Sequence, residues 1–154
     1  SKAKHHNHQK SMKVVTPLSL LIIVSSLMIF VVPAGTSSVD CTFGIGYWKN
    51  HLSAWPGDFA TKVFYGTGET WPHVFDMSAC ICYWKIAQQY VAAVLNIANG
   101  APSTPTVNEV VAALDIFFTE FTGDPSSLVC TDKLLSFHDT LASYNKGQLG
   151  VPQC

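Results

Sequence analysis

Arginine is absent from the 154 residues, and charge of either sign is scarce, with charged side chains making up 12% of the chain. Partners of nucleic acid need clustered lysine and arginine, so that class is excluded. Anionic membrane surfaces are excluded on the same ground. No Asn-x-Ser/Thr acceptor for N-linked sugar occurs, and neither GxSxG nor HExxH is present, which removes two common hydrolase signatures. Tyr65-Gly-Thr-Gly68 lacks the Lys-Ser/Thr tail of a phosphate loop. Cys80-Ile81-Cys82 has the wrong spacing for a CxxC redox pair, and it is one close cysteine pair where a structural zinc site uses two. Neither a metal nor another cofactor is expected. A run of alternating apolar and polar residues, the mark of a half-buried strand, is also missing, although the irregular first third leaves room for a short hairpin.

What is abundant is apolar: 48% of the residues are hydrophobic. The longest such run, residues 14 to 32, carries no charge, follows Lys2, Lys4, Lys10 and Lys13, and leads into Val32-Pro33-Ala34-Gly35. A basic region, an apolar run and a small-residue exit are the parts of a secretory signal peptide. Residues 1–34 are therefore read as leader and signal peptide, cut after Ala34, with Met12 as the natural start. The alternative is an uncleaved signal anchor, the one route to a membrane. His5, His6 and His8 are read as part of a low-complexity leader rather than as metal ligands. Residues 35–154 then form a single secreted domain in which five lysines face ten acidic residues, a formal net charge of −5.

All five cysteines, Cys41, Cys80, Cys82, Cys130 and Cys154, follow the signal. In an oxidising compartment they read as a disulfide framework. Cys41 and Cys154 sit at the two ends of the domain, where termini commonly lie close, and are expected to pair within the chain. Cys130 then meets Cys80 or Cys82. One thiol is left over, either free or bridging two chains.

Cys82 to Asn99 is the stretch around which the rest is organised. Tyr83, Ile86, Tyr90, Val94 and Ile97 recur at steps of three and four, which places them on one stripe of a helix. Its polar positions are Lys85, Gln88, Gln89 and Asn96. A second helix is expected from a capping box at Thr106 and Glu109 to about Phe121, after a linker over residues 101–106. A third is expected to open at Asp124-Pro125 and to end at Gly147, with Leu134, Leu135, Phe137, His138, Leu141 and Tyr144 inward. A short helix is expected over residues 47–52, and a helical turn over residues 58–64. The predicted fold is all-α: a small bundle of about three main helices with an irregular N-terminal third, stabilised by disulfides.

Trp48, His51 and Trp55 are three and four residues apart. With Tyr47 and Trp71 they are the candidate ligand-binding residues, since aromatic faces suit sugar rings and cations. The competing reading is a Trp-rich plug over the core with each indole N–H bonded. No catalytic residue is assigned. An uncharacterised hydrolase would draw on His51, His73 and His138 with Asp58, Asp76, Asp139 or Glu109, because such constellations assemble in space.

Cys41-Thr-x-x-x-Gly46-Tyr-Trp-Lys-Asn-His51 resembles the opening of a secreted domain marked by a GYWKNH signature, found in uncharacterised extracellular and cell-surface proteins. Gln89-Tyr-Val-Ala-Ala-x-Leu-Asn96 with Ala98-Asn-Gly-Ala101 is similar to its core helix. Leu141-Ala-Ser-Tyr-Asn145-x-Gly147, running on to Cys154, is similar to its closing helix and terminal cysteine. The chain departs from the pattern at Gln153, where the family has His, and at Cys80, Cys82 and Cys130. The resemblance implies a secreted helical module and carries no catalytic residues.

Three functions are therefore weighed. The favoured one is a non-enzymatic extracellular structural or assembly module, part of a surface structure or a self-associating filament, with copies of itself or other surface proteins as partners. The second is a ligand- or glycan-binding module, and the third is the hydrolase. The expected location is secreted, extracellular or at the cell surface.

Overall fold

In a computed structural model, residues 39–154 are described. The leader, its cleavage point, Met12 and the histidine cluster at 5–8 lie outside them. Four α-helices follow in chain order: α1 (Ile45–Asn50), α2 (Cys82–Ala98), α3 (Pro105–Glu120) and α4 (Asp132–Asn145). Short 3-10 turns at Leu52–Ala54, Tyr65–Thr67, Pro72–Asp76 and Pro125–Ser127 fill the connections. The fold is all-α, three long helices after an irregular first third. Among the described residues no helix is long and apolar enough to cross a membrane.

Helix α2 is the central one. It is buried on more than one stripe: Tyr83, Ile86 and Tyr90 point inward as expected, and so do Trp84, Ala87, Val91, Ala92, Ala93 and Leu95. Val94 and Ile97, expected on that stripe, are only half-buried. The small alanines let α4 approach, while Val107, Val110, Leu114 and Phe118 of α3 close another side.

Two helix starts differ from expectation. Helix α3 begins two residues early, because the Thr104 hydroxyl, not that of Thr106, accepts the Val107 N–H. Pro105 decides this: its ring suits the first helical position and keeps the preceding residue out of the helical region. Asp124-Pro125 does cap a turn, with the Asp124 carboxylate accepting the Ser126 N–H, but only the 3-10 turn Pro125–Ser127 follows. Helix α4 starts at Asp132, capped by Thr131, whose hydroxyl accepts the Leu134 N–H. The helical turn expected over residues 58–64 is a hydrogen-bonded turn over residues 57–61, with the Thr61 N–H on Asp58 O at 3.0 Å and the Lys62 N–H on Phe59 O at 3.4 Å. Beyond it an isolated antiparallel bridge joins Val63 to Thr70.

Two cysteine pairs tie the chain, Cys41 to Cys154 and Cys82 to Cys130, and Cys80 is free and exposed. Such pairs belong to an oxidising environment. The ends are also held by backbone. The Thr42 N–H donates to Pro152 O at 2.8 Å, the Cys154 N–H donates to Thr42 O at 2.9 Å, and the Thr42 hydroxyl donates to Tyr144 O at 3.0 Å. Gly147 makes this crossing feasible. It has φ +72°, and a Cβ there would lie 2.2 Å from the Gln153 nitrogen, so no side chain fits.

Inside the bundle sits a polar knot. Asn96 of α2 is fully buried. Its Oδ1 accepts the Phe43 N–H at 2.8 Å and the Trp48 Nε1–H at 3.1 Å. Its Nδ2 donates to Phe43 O at 2.9 Å and to Asn145 Oδ1 at 3.0 Å. Asn145 in turn donates to the carbonyl and side-chain oxygens of Gln89. Four polar atoms from three segments are satisfied by one amide, as a buried amide requires.

Candidate functional site

The five aromatic candidates do not form one surface. Trp48 is fully buried, and Trp55 and Trp71 nearly so. The Trp55 indole N–H donates to Trp48 O at 2.9 Å, and that of Trp48 is spent on Asn96. Here the plug describes them better than a platform: α1 ends at Asn50, so Trp55 never continues the helical face shared by Trp48 and His51. What reaches the surface is a stack of three rings. Tyr47 lies on Phe43 with centroids 3.8 Å apart, and His51 lies on Tyr47 at 4.4 Å.

The histidines each take a partner close in sequence. His51 Nδ1 donates to Tyr47 O at 2.8 Å, which requires the Nδ1–H tautomer, since a carbonyl only accepts. His73 pairs with Glu69, and His138 Nδ1 lies 2.8 Å from Asp139 Oδ1. Asp58 and Asp76 face lysines, Lys62 at 3.8 Å and Lys49 at 2.9 Å. Lys49 beside it holds the Asp76 carboxyl below its usual range. Glu109 is exposed on α3. Among the described residues no three His, Cys, Asp or Glu side chains are grouped to hold a metal ion.

A different arrangement does gather chemistry. Phe59, Lys62, Tyr65, Trp71, Tyr90 and Asp115 line a groove of about 390 Å³. Three distant segments build it: the loop after α1, the middle of α2 and the outer face of α3. The loop is pinched by the Val63–Thr70 bridge, with the Phe64 N–H on Glu69 O at 2.6 Å and the Trp71 N–H on Lys62 O at 2.9 Å. Tyr65 stands at its turn with φ +47°, the one non-glycine residue with positive φ among those described. An aromatic side chain in the left-handed region costs on the order of 1–3 kcal/mol, and such residues persist where the surroundings over-determine them.

Here the surroundings are hydrogen bonds. The Tyr65 hydroxyl lies 2.5 Å from Asp115 Oδ1 and 2.5 Å from the Tyr90 hydroxyl, while Tyr90 and Asp115 are 3.2 Å apart. The two shorter contacts share the Tyr65 oxygen. A relay in which Tyr90 donates to Tyr65, and Tyr65 to Asp115, gives each phenolic proton one acceptor. Burial pushes both phenols well above the ordinary tyrosine value. For Tyr65 the bond to Asp115 adds to burial; for Tyr90 the bond with Tyr65 works the other way and does not cancel it. Both phenols therefore stay protonated at neutral pH.

The walls of the groove are aromatic. Phe59 and Trp71 meet at 4.8 Å with their planes tilted by 50°, and Tyr65 and Trp71 lie 6.5 Å apart. Lys62 Nζ stands 4.9 Å above the Phe59 ring. A more spacious cleft of about 900 Å³ between α4 and the final loop is lined by Thr104, Thr106, Asp132, Ser136, Asp139 and Thr140 among others, with no aromatic wall. Of the residues anticipated for binding, only Trp71 lines the Tyr65 groove. A signal for the others was present: Asp115 is the one charge between Glu109 and Glu120 on an otherwise apolar stretch.

Comparison of the chain with models of known families, with curated proteins and with solved structures finds no match.

Proposed function

We propose that the protein is a non-enzymatic extracellular module that binds a ligand in the Tyr65 groove and belongs with the secreted domains carrying the GYWKNH signature. The groove carries this reading. Aromatic walls, a few convergent polar groups and the most strongly shifted side chains of the domain meet in one concavity, the usual marks of a binding site. The non-enzymatic part is supported by the histidines, each paired with a neighbour close in sequence rather than gathered with an acid and a nucleophile. The extracellular part is supported by the two disulfide pairs and the signal-like leader. The test is fragment screening by NMR on the oxidised protein. Shifts clustering on Tyr65, Trp71 and Tyr90 are expected; fragments gathering only in the α4 cleft would overturn the assignment.

Assembly with copies of itself is a second reading, favoured by Cys80, the exposed thiol left when the other four cysteines pair. Non-reducing gels of secreted material test it, and a strictly monomeric species with no interchain disulfide would reject it.

A further inference from the structure

The ligand class can be taken further, resting on the binding reading above. We propose that the Tyr65 groove takes a neutral sugar ring, with Asp115 as hydroxyl acceptor, Lys62 as donor and the Phe59–Trp71 corner as its apolar wall.

The polar groups set the charge of the ligand. Asp115 and Lys62 bring one negative and one positive charge to the same groove. An organic cation would gain from Asp115 and the rings but meet the Lys62 ammonium. An anion would gain from Lys62 but meet Asp115, inside a domain of net charge −5. A neutral polyol satisfies both at once, since each hydroxyl donates and accepts. Lys62 is available for this: its 3.8 Å pairing with Asp58 is between exposed groups, and such pairs hold weakly.

The relay sets how Asp115 is offered. Tyr65 donates to Oδ1 at 2.5 Å, and the Tyr90 hydroxyl that donates to Tyr65 lies 3.2 Å from the same oxygen. Among the described residues no further partner bonds to Oδ2, so one oxygen is anchored while the other is left as an acceptor. The left-handed Tyr65 is what reaches Oδ1, which gives the strained turn a role: it fixes the carboxylate before a ligand arrives, and a fixed group loses less freedom on binding. The wall completes the fit. Phe59 is half-buried and Trp71 is 6% exposed, so Phe59 offers most of the apolar surface that a ring's C–H face would meet, with Trp71 behind it at 4.8 Å. The volume of about 390 Å³ suits a monosaccharide or disaccharide unit.

The test uses the oxidised full chain, titrated with cellohexaose, chitohexaose, mannohexaose and laminarihexaose. Tetramethylammonium chloride and a polygalacturonate oligomer serve as charged probes, and calorimetry and NMR as readouts. Saturable binding of at least one neutral oligosaccharide is expected, with shifts at Trp71 and Asp115. Asp115→Asn weakens it about tenfold or more, the weight of a charge-assisted bond. Tyr65→Phe, which removes the clamp and keeps the carboxylate, also weakens it. Near-UV circular dichroism confirms that each variant stays folded, and Asp139→Asn in the α4 cleft leaves binding unchanged. Tetramethylammonium or polygalacturonate bound in the groove without any neutral sugar would overturn the sugar assignment and keep the binding module. Sugar binding indifferent to Asp115→Asn and to Phe59→Ala would move the sugar elsewhere and overturn it as well. No shift in the groove with any probe would overturn both readings.

Discussion

Replacing Asn96 by leucine is the sharpest test of how this domain is held together. The side chains are similar in size, so the change removes polarity and leaves little void. Four partners lose their bond: Phe43 N–H, Phe43 O, the Trp48 indole N–H and Asn145 Oδ1. The bonds to Trp48 and Asn145 are buried, and an orphaned group there costs about 2 kcal/mol. The two Phe43 bonds are half-buried, where water recovers part of the loss and the cost is about 1 kcal/mol each. Burial of the leucine offsets about 2 kcal/mol. The net expectation is a loss of about 4 kcal/mol, a large share of the roughly 5–15 kcal/mol that holds a typical domain together.

Urea unfolding with the disulfides intact reads this directly, followed by near-UV circular dichroism. At this size about 4 kcal/mol lowers Tm by about 16 °C. Asn50→Leu is the control: its amide donates to Gly46 O at an exposed site, and the change should stay within about 0.5 kcal/mol. Asn145→Leu combined with Asn96→Leu should cost less than the two added together, because the pair shares a bond. A loss below about 1 kcal/mol for Asn96→Leu would refute the reasoning. It would mean that the entry segment finds its place without this amide.

Tyr90→Ala removes a buried ring packed near Phe64, Trp71 and Phe118 and should cost about 3–5 kcal/mol, whereas His51→Ala, His73→Ala and His138→Ala should each cost less than about 1 kcal/mol. Thermal melts of the four variants decide it, and a histidine variant that kept its Tm yet abolished a measurable reaction would remove the non-enzymatic reading. Alkali gives a second check. Burial raises Tyr65 and Tyr90 and pushes Tyr83 and Tyr144 up to about 12, so the folded state keeps protons that the unfolded chain releases near pH 10. That contribution to stability is complete below about pH 10 and is lost as pH rises through the folded values. Phenolate absorbance from these four should therefore appear together with alkaline unfolding, and its appearance near pH 10 in a still-native protein would contradict their burial.

The three long helices were legible because each shows apolar residues at steps of three and four, and that spacing survives whatever packs against it. Their starts were less legible. Thr104 and Thr106 are both good caps two residues apart, and only the rule that a residue before proline leaves the helical region separates them. The inward turn of Asn96 was not legible, since a polar residue on an apolar helix reads as a gap in the stripe until its partners are known. Those partners come from positions 43, 48 and 145, which no local pattern connects. The groove was hidden for the same reason. Tyr65, Tyr90 and Asp115 are 25 residues apart along the chain, and the strain at Tyr65 has no signature in residue type.

The polar knot bears on where function is to be sought. Residues 41 to 51 hold the most distinctive run of the chain, and such a run invites a search for a site. Yet its tryptophan is buried, its Thr42 and Phe43 backbones are tied to the final loop and to α2, its Thr42 hydroxyl is tied to α4, and its Lys49 is paired with Asp76. Distinctiveness there has a packing cause: a non-helical entry must be fixed against two helices, and one buried amide does it at four atoms. Tyr47 and His51 are what the run leaves at the surface. The segment from Phe59 to Trp71 is different in kind. It holds an aromatic residue in a costly backbone conformation, spends that residue's hydroxyl on orienting a carboxylate, and opens a groove beside it. The ring recovers part of that cost by stacking on Phe118 at 5.5 Å and meeting Phe64 edge-on at 4.9 Å, and its hydroxyl adds the bond that orients Asp115. On the binding reading proposed above, the ligand is to be sought beside Tyr65, while residues 41 to 51 serve as the scaffold that ties the entry to the helices.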